Sequence, residues 1–122
     1  MSEKVSKTTI GQLGEQEACN YLQKQGYKIL EKNFHYSRYA EIDIIAKDKD
    51  TIVFVEVKTR TTAEFGHPFE AVNHKKLLNI LKAGLAYLKT TKESHKNYRI
   101  DVIGVLGTQK PQIEHLKNIS LN

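Results

Sequence analysis

The most constraining stretch of this 122-residue chain is Thr51-Ile-Val-Phe-Val-Glu-Val-Lys58. It is a β-type run, and Val53–Val57 within it is apolar on both faces except for Glu56. A strand of that kind belongs inside a sheet that is covered on both sides. A second Ile-rich run, Ala40–Ala46, precedes it. The polar Lys47-Asp48-Lys49-Asp50 between them implies an antiparallel hairpin.

The covering layers can be read from helical periodicity. Residues from about Thr8 to Gln25 form a first helix, with Thr8 or Thr9 as its cap and Gly26 ending it in the left-handed conformation. Leu13, Ala18, Tyr21 and Leu22 make its apolar side. A second helix spans about Phe69 to Thr90, with Leu77, Leu78, Leu81, Leu85 and Leu88 on one side. Tyr27–Tyr36, Tyr98–Leu106 and a marginal Gln112–Leu116 complete the strands. Thr59–Pro68 and Gly107–Pro111 are expected to be a loop and a turn. The expected class is α/β, a mixed sheet flanked by helices in the order α-β-β-β-α-β(-β). One domain over 1–122 is expected, with an ordered core at about 8–119.

Composition excludes several classes. Hydrophobic residues at 39% and charged residues at 27% exclude disordered and fibrous chains. No apolar run approaches the roughly 20 residues of a membrane span, and the start has no signal-peptide pattern. A lone Cys19 offers neither a disulfide nor a cysteine-based metal site. A cytoplasmic location is expected. The net charge of +5 is uneven. Residues 1–60 carry ten basic and nine acidic side chains, and residues 61–122 carry nine and five. Acidic groups gathered in one half of a basic chain need a reason.

That reason is sought in Glu41-Ile-Asp43 and Glu56-Val-Lys58. A four-residue turn at Lys47–Asp50 would pair Ala46 with Thr51. Asp43 would then lie diagonal to Glu56, Glu41 opposite it, and all three carboxylates on one face. Facing like charges are destabilising, so a cation is expected there: Lys58 on the same face, and a divalent ion. Carboxylate oxygens suit Mg²⁺ or Mn²⁺. Glu15 shares the inward helix side of Ala18 and Leu22, whereas Glu17 faces water. Gly11 and Gly14 would let this helix approach the sheet closely.

These residues resemble the PD-(D/E)xK nuclease pattern. The chain as a whole is similar to the small bacterial YraN family of predicted endonucleases, related to archaeal Holliday junction resolvases. The likeness runs over about 8–119. It rests on Gly11-x-x-Gly14-Glu15-x-x-Ala18, Gly26-Tyr27, Asn33, Glu41-Ile-Asp43-Ile-Ile45 and Val53-Phe-Val-Glu-Val-Lys-Thr-Arg60. It continues with Phe65-Gly66-x-Pro68, Lys76 and Arg99-Ile-Asp-Val102. Ala40 stands where the family usually has Gly. The resemblance implies a restriction-endonuclease-like fold, with Asp43 and Glu56 as metal ligands beside the Val57 carbonyl, and Lys58 as the catalytic lysine. Glu15 matches the first-helix glutamate of the resolvases.

The function expected is metal-dependent hydrolysis of phosphodiester bonds in DNA, branched or structured DNA included. The alternative is a nucleic-acid-binding module that keeps the fold without turnover. A homodimer would suit symmetric cutting of two strands. Arg60, Lys75, Lys76 and Lys82 are the candidate nucleic-acid contacts, although the Lys75, Lys82, Lys89 stripe also suits a solvated helix face. Glu41, Arg99 and Asp101 are candidate supports behind the site, and Arg99 and Asp101 are expected to pair with each other. Tyr36, Arg38 and Tyr39 suit base stacking as well as an ordinary strand end. The histidines at 35, 67, 74, 95 and 115 lack zinc-site spacing and are read as surface groups.

Overall fold

The computed structural model of the chain describes residues 7–61, 72–91, 97–107 and 109–120. The elements are α1 (Lys7–Lys24), β1 (Lys28–His35), β2 (Glu41–Asp48), β3 (Thr51–Arg60), α2 (His74–Thr90), β4 (Asn97–Leu106) and β5 (Gln112–Leu116). They form one five-stranded sheet in the order β1-β2-β3-β4-β5. Neighbours are antiparallel except for β3 and β4, which run parallel from Thr51↔Asn97 to Arg60↔Leu106. The α/β class and the element order are as expected. No helix among the described residues is long and apolar enough to cross a membrane.

Two cores confirm that β3 is covered on both sides. Ile52 and Phe54 pack under α2 with Ile45, Leu77, Ile80, Ala83 and Leu88. Val53 and Val55 pack under α1 with Ala18, Cys19, Leu22, Ile44 and Ile103. Fully burying side chains of this size stabilises by about 1.5–3 kcal/mol each.

The helix ends differ in detail from expectation. Helix α1 starts at Lys7, so Thr8 and Thr9 lie inside it. Gly26, at φ 92°, does end it, and the Tyr27 N–H reaches back to the Leu22 carbonyl at 2.9 Å. Helix α2 starts at His74, five residues after the expected Phe69. Asn73 is extended there and its Oδ1 accepts the Lys76 N–H at 2.9 Å, a side-chain cap that sets the first turn. Gly66, Pro68 and Phe69 lie outside the described residues.

Two helix faces also need correction. Leu13 is half exposed, and the inward side of α1 is Gly14, Ala18, Cys19 and Leu22. On α2, Leu78 and Leu85 face outward, while Leu77, Ile80, Ala83, Gly84, Tyr87 and Leu88 face the sheet. A run this rich in leucine gives two overlapping apolar stripes, and the sheet selects one.

The hairpin register differs too. Asp48 pairs with Thr51 and Ala46 with Val53, so the turn is Lys49-Asp50, two residues rather than four. Lys49 takes φ 56° to close it. The shift of two preserves which residues share a face but moves their partners. Continued along β2, this register sets Asp43, not Glu41, level with Glu56.

Candidate functional site

Pairing between β2 and β3 ends at Ile44↔Val55. Beyond that point β2 stays with β1 as far as His35↔Glu41, and β3 stays with β4 as far as Arg60↔Leu106. The sheet therefore opens into a fork. Strand β2 also turns over at the fork, because Ile42 joins the α2 core and Ile44 the α1 core. On a flat strand residues two apart share a face. The expectation that Glu41, Asp43 and Glu56 share one flat face is thus corrected: the acidic groups converge on an opening between the strands.

Asp43 stands at the turnover. Its Oδ2 accepts the Val57 N–H at 2.8 Å, taking over from the lost ladder. Glu56 follows Phe54 on β3 and is only 3% exposed. Two ammonium groups meet its Oε1: Lys58 Nζ at 3.3 Å and Lys76 Nζ at 3.5 Å. Its Oε2 is buried with no hydrogen-bond partner. The third group comes from α1. Gly14 lets that helix come close, since a Cβ there would lie 1.9 Å from Thr59 Oγ1. Gly11, by contrast, faces open space. The close approach carries Glu15 in, and Glu15 Oε1 is also buried without a partner. Glu17 is exposed, as expected.

A cleft of about 630 Å³ opens over these groups, lined by Glu15, Asp43, Glu56, Val57, Lys58 and Arg60, among others. Its electrostatics follow from crowding. Burial, then the Glu56 charge, pushes the Asp43 carboxyl up to about 7 against the pull of the Val57 N–H. Burial first, with Glu41 and Glu56 behind it, also raises Glu15.

Not every candidate comes together here. Lys76, expected as a nucleic-acid contact, reaches Glu56, because the Asn73 cap starts α2 beside the fork. Arg60 lines the cleft wall and donates to the Thr59 carbonyl at 3.0 Å. Lys75 and Lys82 are exposed on α2 and line no part of the cleft. Glu41 is 3.8 Å from His35 at the rim and acts on Asp43 through its charge.

Arg99 and Asp101 lie elsewhere. They align with Val53 and Val55 of β3, the α1 face, toward the β2–β3 turn. They do pair, Arg99 Nε to Asp101 Oδ1 at 3.0 Å, and Arg99 also reaches Tyr27 and Asp48. Asp101 further binds His115 Nε2 at 2.8 Å and the Asn118 N–H at 2.9 Å, and His115 Nδ1 meets the Tyr21 hydroxyl at 3.0 Å. Burial alone would raise Asp101, but the His115 and Arg99 hydrogen bonds bring it below the ordinary value. His115 is therefore not a surface group. Alternation along β5 turns Ile113 and His115 inward, and that alternation was the available signal. His67 and His95 lie outside the described residues.

Among the described residues no group of three or more His, Cys, Asp or Glu side chains is arranged to hold a metal ion. The donor set that remains is Asp43 and Glu56 with the Val57 backbone. It suits Mg²⁺, which binds through one or two carboxylates and keeps its other positions for water and phosphate. The orphaned oxygens of Glu56 and Glu15 fit a hard cation and its water.

The family model described as uncharacterised protein family UPF0102 matches residues 14–105. A UPF0102 protein of Syntrophomonas wolfei is 46% identical over 110 residues, covering 89% of this chain and 95% of that protein. One from Caldanaerobacter subterraneus is 46% identical over 118 residues, covering 96% of each. One from Alkaliphilus oremlandii is 49% identical over 112 residues, covering 89% and 95%.

Proposed function

The chain belongs to family UPF0102, the YraN family, and from that premise we propose that it is a divalent-metal-dependent endonuclease hydrolysing phosphodiester bonds in DNA, branched or structured DNA included. One observation carries the reading. Two buried carboxylate oxygens without partners, Glu15 Oε1 and Glu56 Oε2, belong to a cleft that also holds the raised Asp43 carboxyl and Lys58, with Lys76 reaching Glu56. Carboxylates crowded this way need a cation, and the cleft has room for a phosphate.

Asp43 and Glu56, with the Val57 carbonyl, would hold Mg²⁺ or Mn²⁺. The ion would lower the pKa of bound water and polarise the phosphoryl oxygen. The chain's own groups do the rest. The Val57 N–H fixes the Asp43 carboxylate and aims its free oxygen. Lys58, on the same strand as Glu56, stabilises charge developing on the phosphate. Glu15 sits across the cleft, and burial raises its carboxyl above the ordinary value, the direction that favours a group taking a proton from water. Arg60 on the wall offers a phosphate contact.

The experiment is a panel of duplex, single-stranded, flapped and four-way DNA incubated with Mn²⁺, beside Glu56→Gln and Lys58→Met. Cleavage that both substitutions abolish supports the reading. Cleavage that neither changes overturns it. Metal and DNA binding without cleavage would leave a nucleic-acid-binding module instead.

A further inference from the structure

The loop joining β1 to β2 holds aromatic side chains that the cleft chemistry does not use. We propose that Tyr36 and Tyr39, with Arg38, form a platform on which unpaired nucleobases stack beside the cleft. The substrate class is then nucleic acid with single-stranded nucleotides next to the cut, rather than continuous duplex. The position of the cut rests on the nuclease reading, but the base binding does not require cleavage.

The two rings are presented to solvent. Tyr36 is 58% exposed and Tyr39 75%, whereas Tyr27 and Tyr87 are each 7% exposed in the cores. They are held on a framed loop rather than a loose tip. The Tyr36 N–H bonds the Ala40 carbonyl at 2.9 Å, the Ala40 N–H returns to Ser37 O at 3.3 Å, and the Tyr39 N–H meets Ser37 Oγ at 3.4 Å. Arg38 lies over the Tyr39 ring, with its guanidinium carbon 5.8 Å from the centroid. Arginine beside an exposed ring is a combination that binds single strands by stacking and cation–π attraction.

Charge and position agree. Between Glu31 and Glu41 the chain has no acidic residue, but it has Lys32, His35 and Arg38. That suits any polyanion, and the exposed rings select a strand that carries nucleobases. Bases in a continuous duplex are already stacked and offer no free face, whereas unpaired bases do. The loop also leads straight into the site. Tyr39 precedes Asp43 by four residues, about 13 Å of strand. A strand lying on the rings would be within a few nucleotides of the cleft.

The test reads binding without added metal, so that no ligand is cut. Fluorescence anisotropy compares equal lengths of single-stranded DNA, single-stranded RNA, flapped duplex DNA and continuous duplex DNA. Wild-type protein is expected to bind the single-stranded or flapped ligands on the order of tenfold tighter than continuous duplex. Tyr36→Ser with Tyr39→Ser should lose that preference and keep its duplex affinity and melting temperature. Tyr36→Phe with Tyr39→Phe should keep the preference. Preference for either sugar supports the platform, and the tighter one names the nucleic acid. No preference in the wild type, or an equal preference in the serine variant, overturns it. Loss of the cleavage assignment with the preference intact would remove the nuclease reading and leave the platform.

Discussion

The Asp43 carboxylate accepts the Val57 N–H at 2.8 Å where β2 and β3 have stopped pairing. One hydrogen bond thus holds the fork together and aims the acidic group. It also leaves that carboxyl buried against Glu56, which is why its pKa rises to about 7.

Stability should follow from that shift. An unfolded Asp titrates near 3.9, below the folded value. The folded protein therefore holds the extra proton between about pH 4 and 7. The stability Asp43 contributes is full below pH 4 and is lost as pH rises through about 7. Thermal melts without metal should fall across that window, and Asp43→Asn should flatten the fall. Mg²⁺, competing with the proton, should raise the melting temperature more at pH 8 than at pH 5.5.

Lys76 stands where a cation would compete with it, 3.5 Å from Glu56 Oε1. Replacing it with Met removes a positive charge from the ligand field. Titration calorimetry should show Mn²⁺ binding to Lys76→Met on the order of tenfold tighter than to wild type. Unchanged or weaker binding would show that Lys76 does not oppose the ion.

The Asp101 cluster predicts a structural effect with an opposite pH dependence. Asp101 is fully buried and binds Arg99, His115 and Asn118. Asp101→Leu should cost about 3–5 kcal/mol in urea unfolding, because Arg99, His115 and the Asn118 N–H all lose a fully buried carboxylate. The lowered Asp101 pKa contributes stability that is present above pH 4 and lost as pH falls through the folded value. Mn²⁺ affinity of the folded variant should be unchanged.

Packing gives a prediction independent of charge. A Cβ at Gly84 would lie 2.4 Å from the Phe54 ring, which is fully buried. Gly84→Ala should destabilise by about 1–3 kcal/mol through overpacking, despite alanine's better helix propensity, and urea unfolding measures it.

Much of this protein was legible in local pattern. The two-sided apolar run around Phe54 required a covered central strand, and the strand and helix periods placed the seven elements. Glu15, Asp43, Glu56 and Lys58 stood out because acidic and basic side chains interrupt apolar faces. Side-chain period is a local property, so such features survive without knowledge of what the chain packs against.

The hairpin register, the fork at Asp43, the meeting of Lys76 with Glu56 and the burial of His115 were decided by tertiary structure. Lys47–Asp50 could close around two residues or around four, since a shift of two leaves the alternation of faces unchanged, and the chain pairs Asp48 with Thr51. Tyr21 and His115 are 94 residues apart, and no spacing along the chain encodes their contact. The local pattern of residues carries the strand and helix periods and the positions of the charges. The three-dimensional fold decided which charges meet, because that depends on how β2 leaves β3 and how closely Gly14 lets α1 approach Thr59.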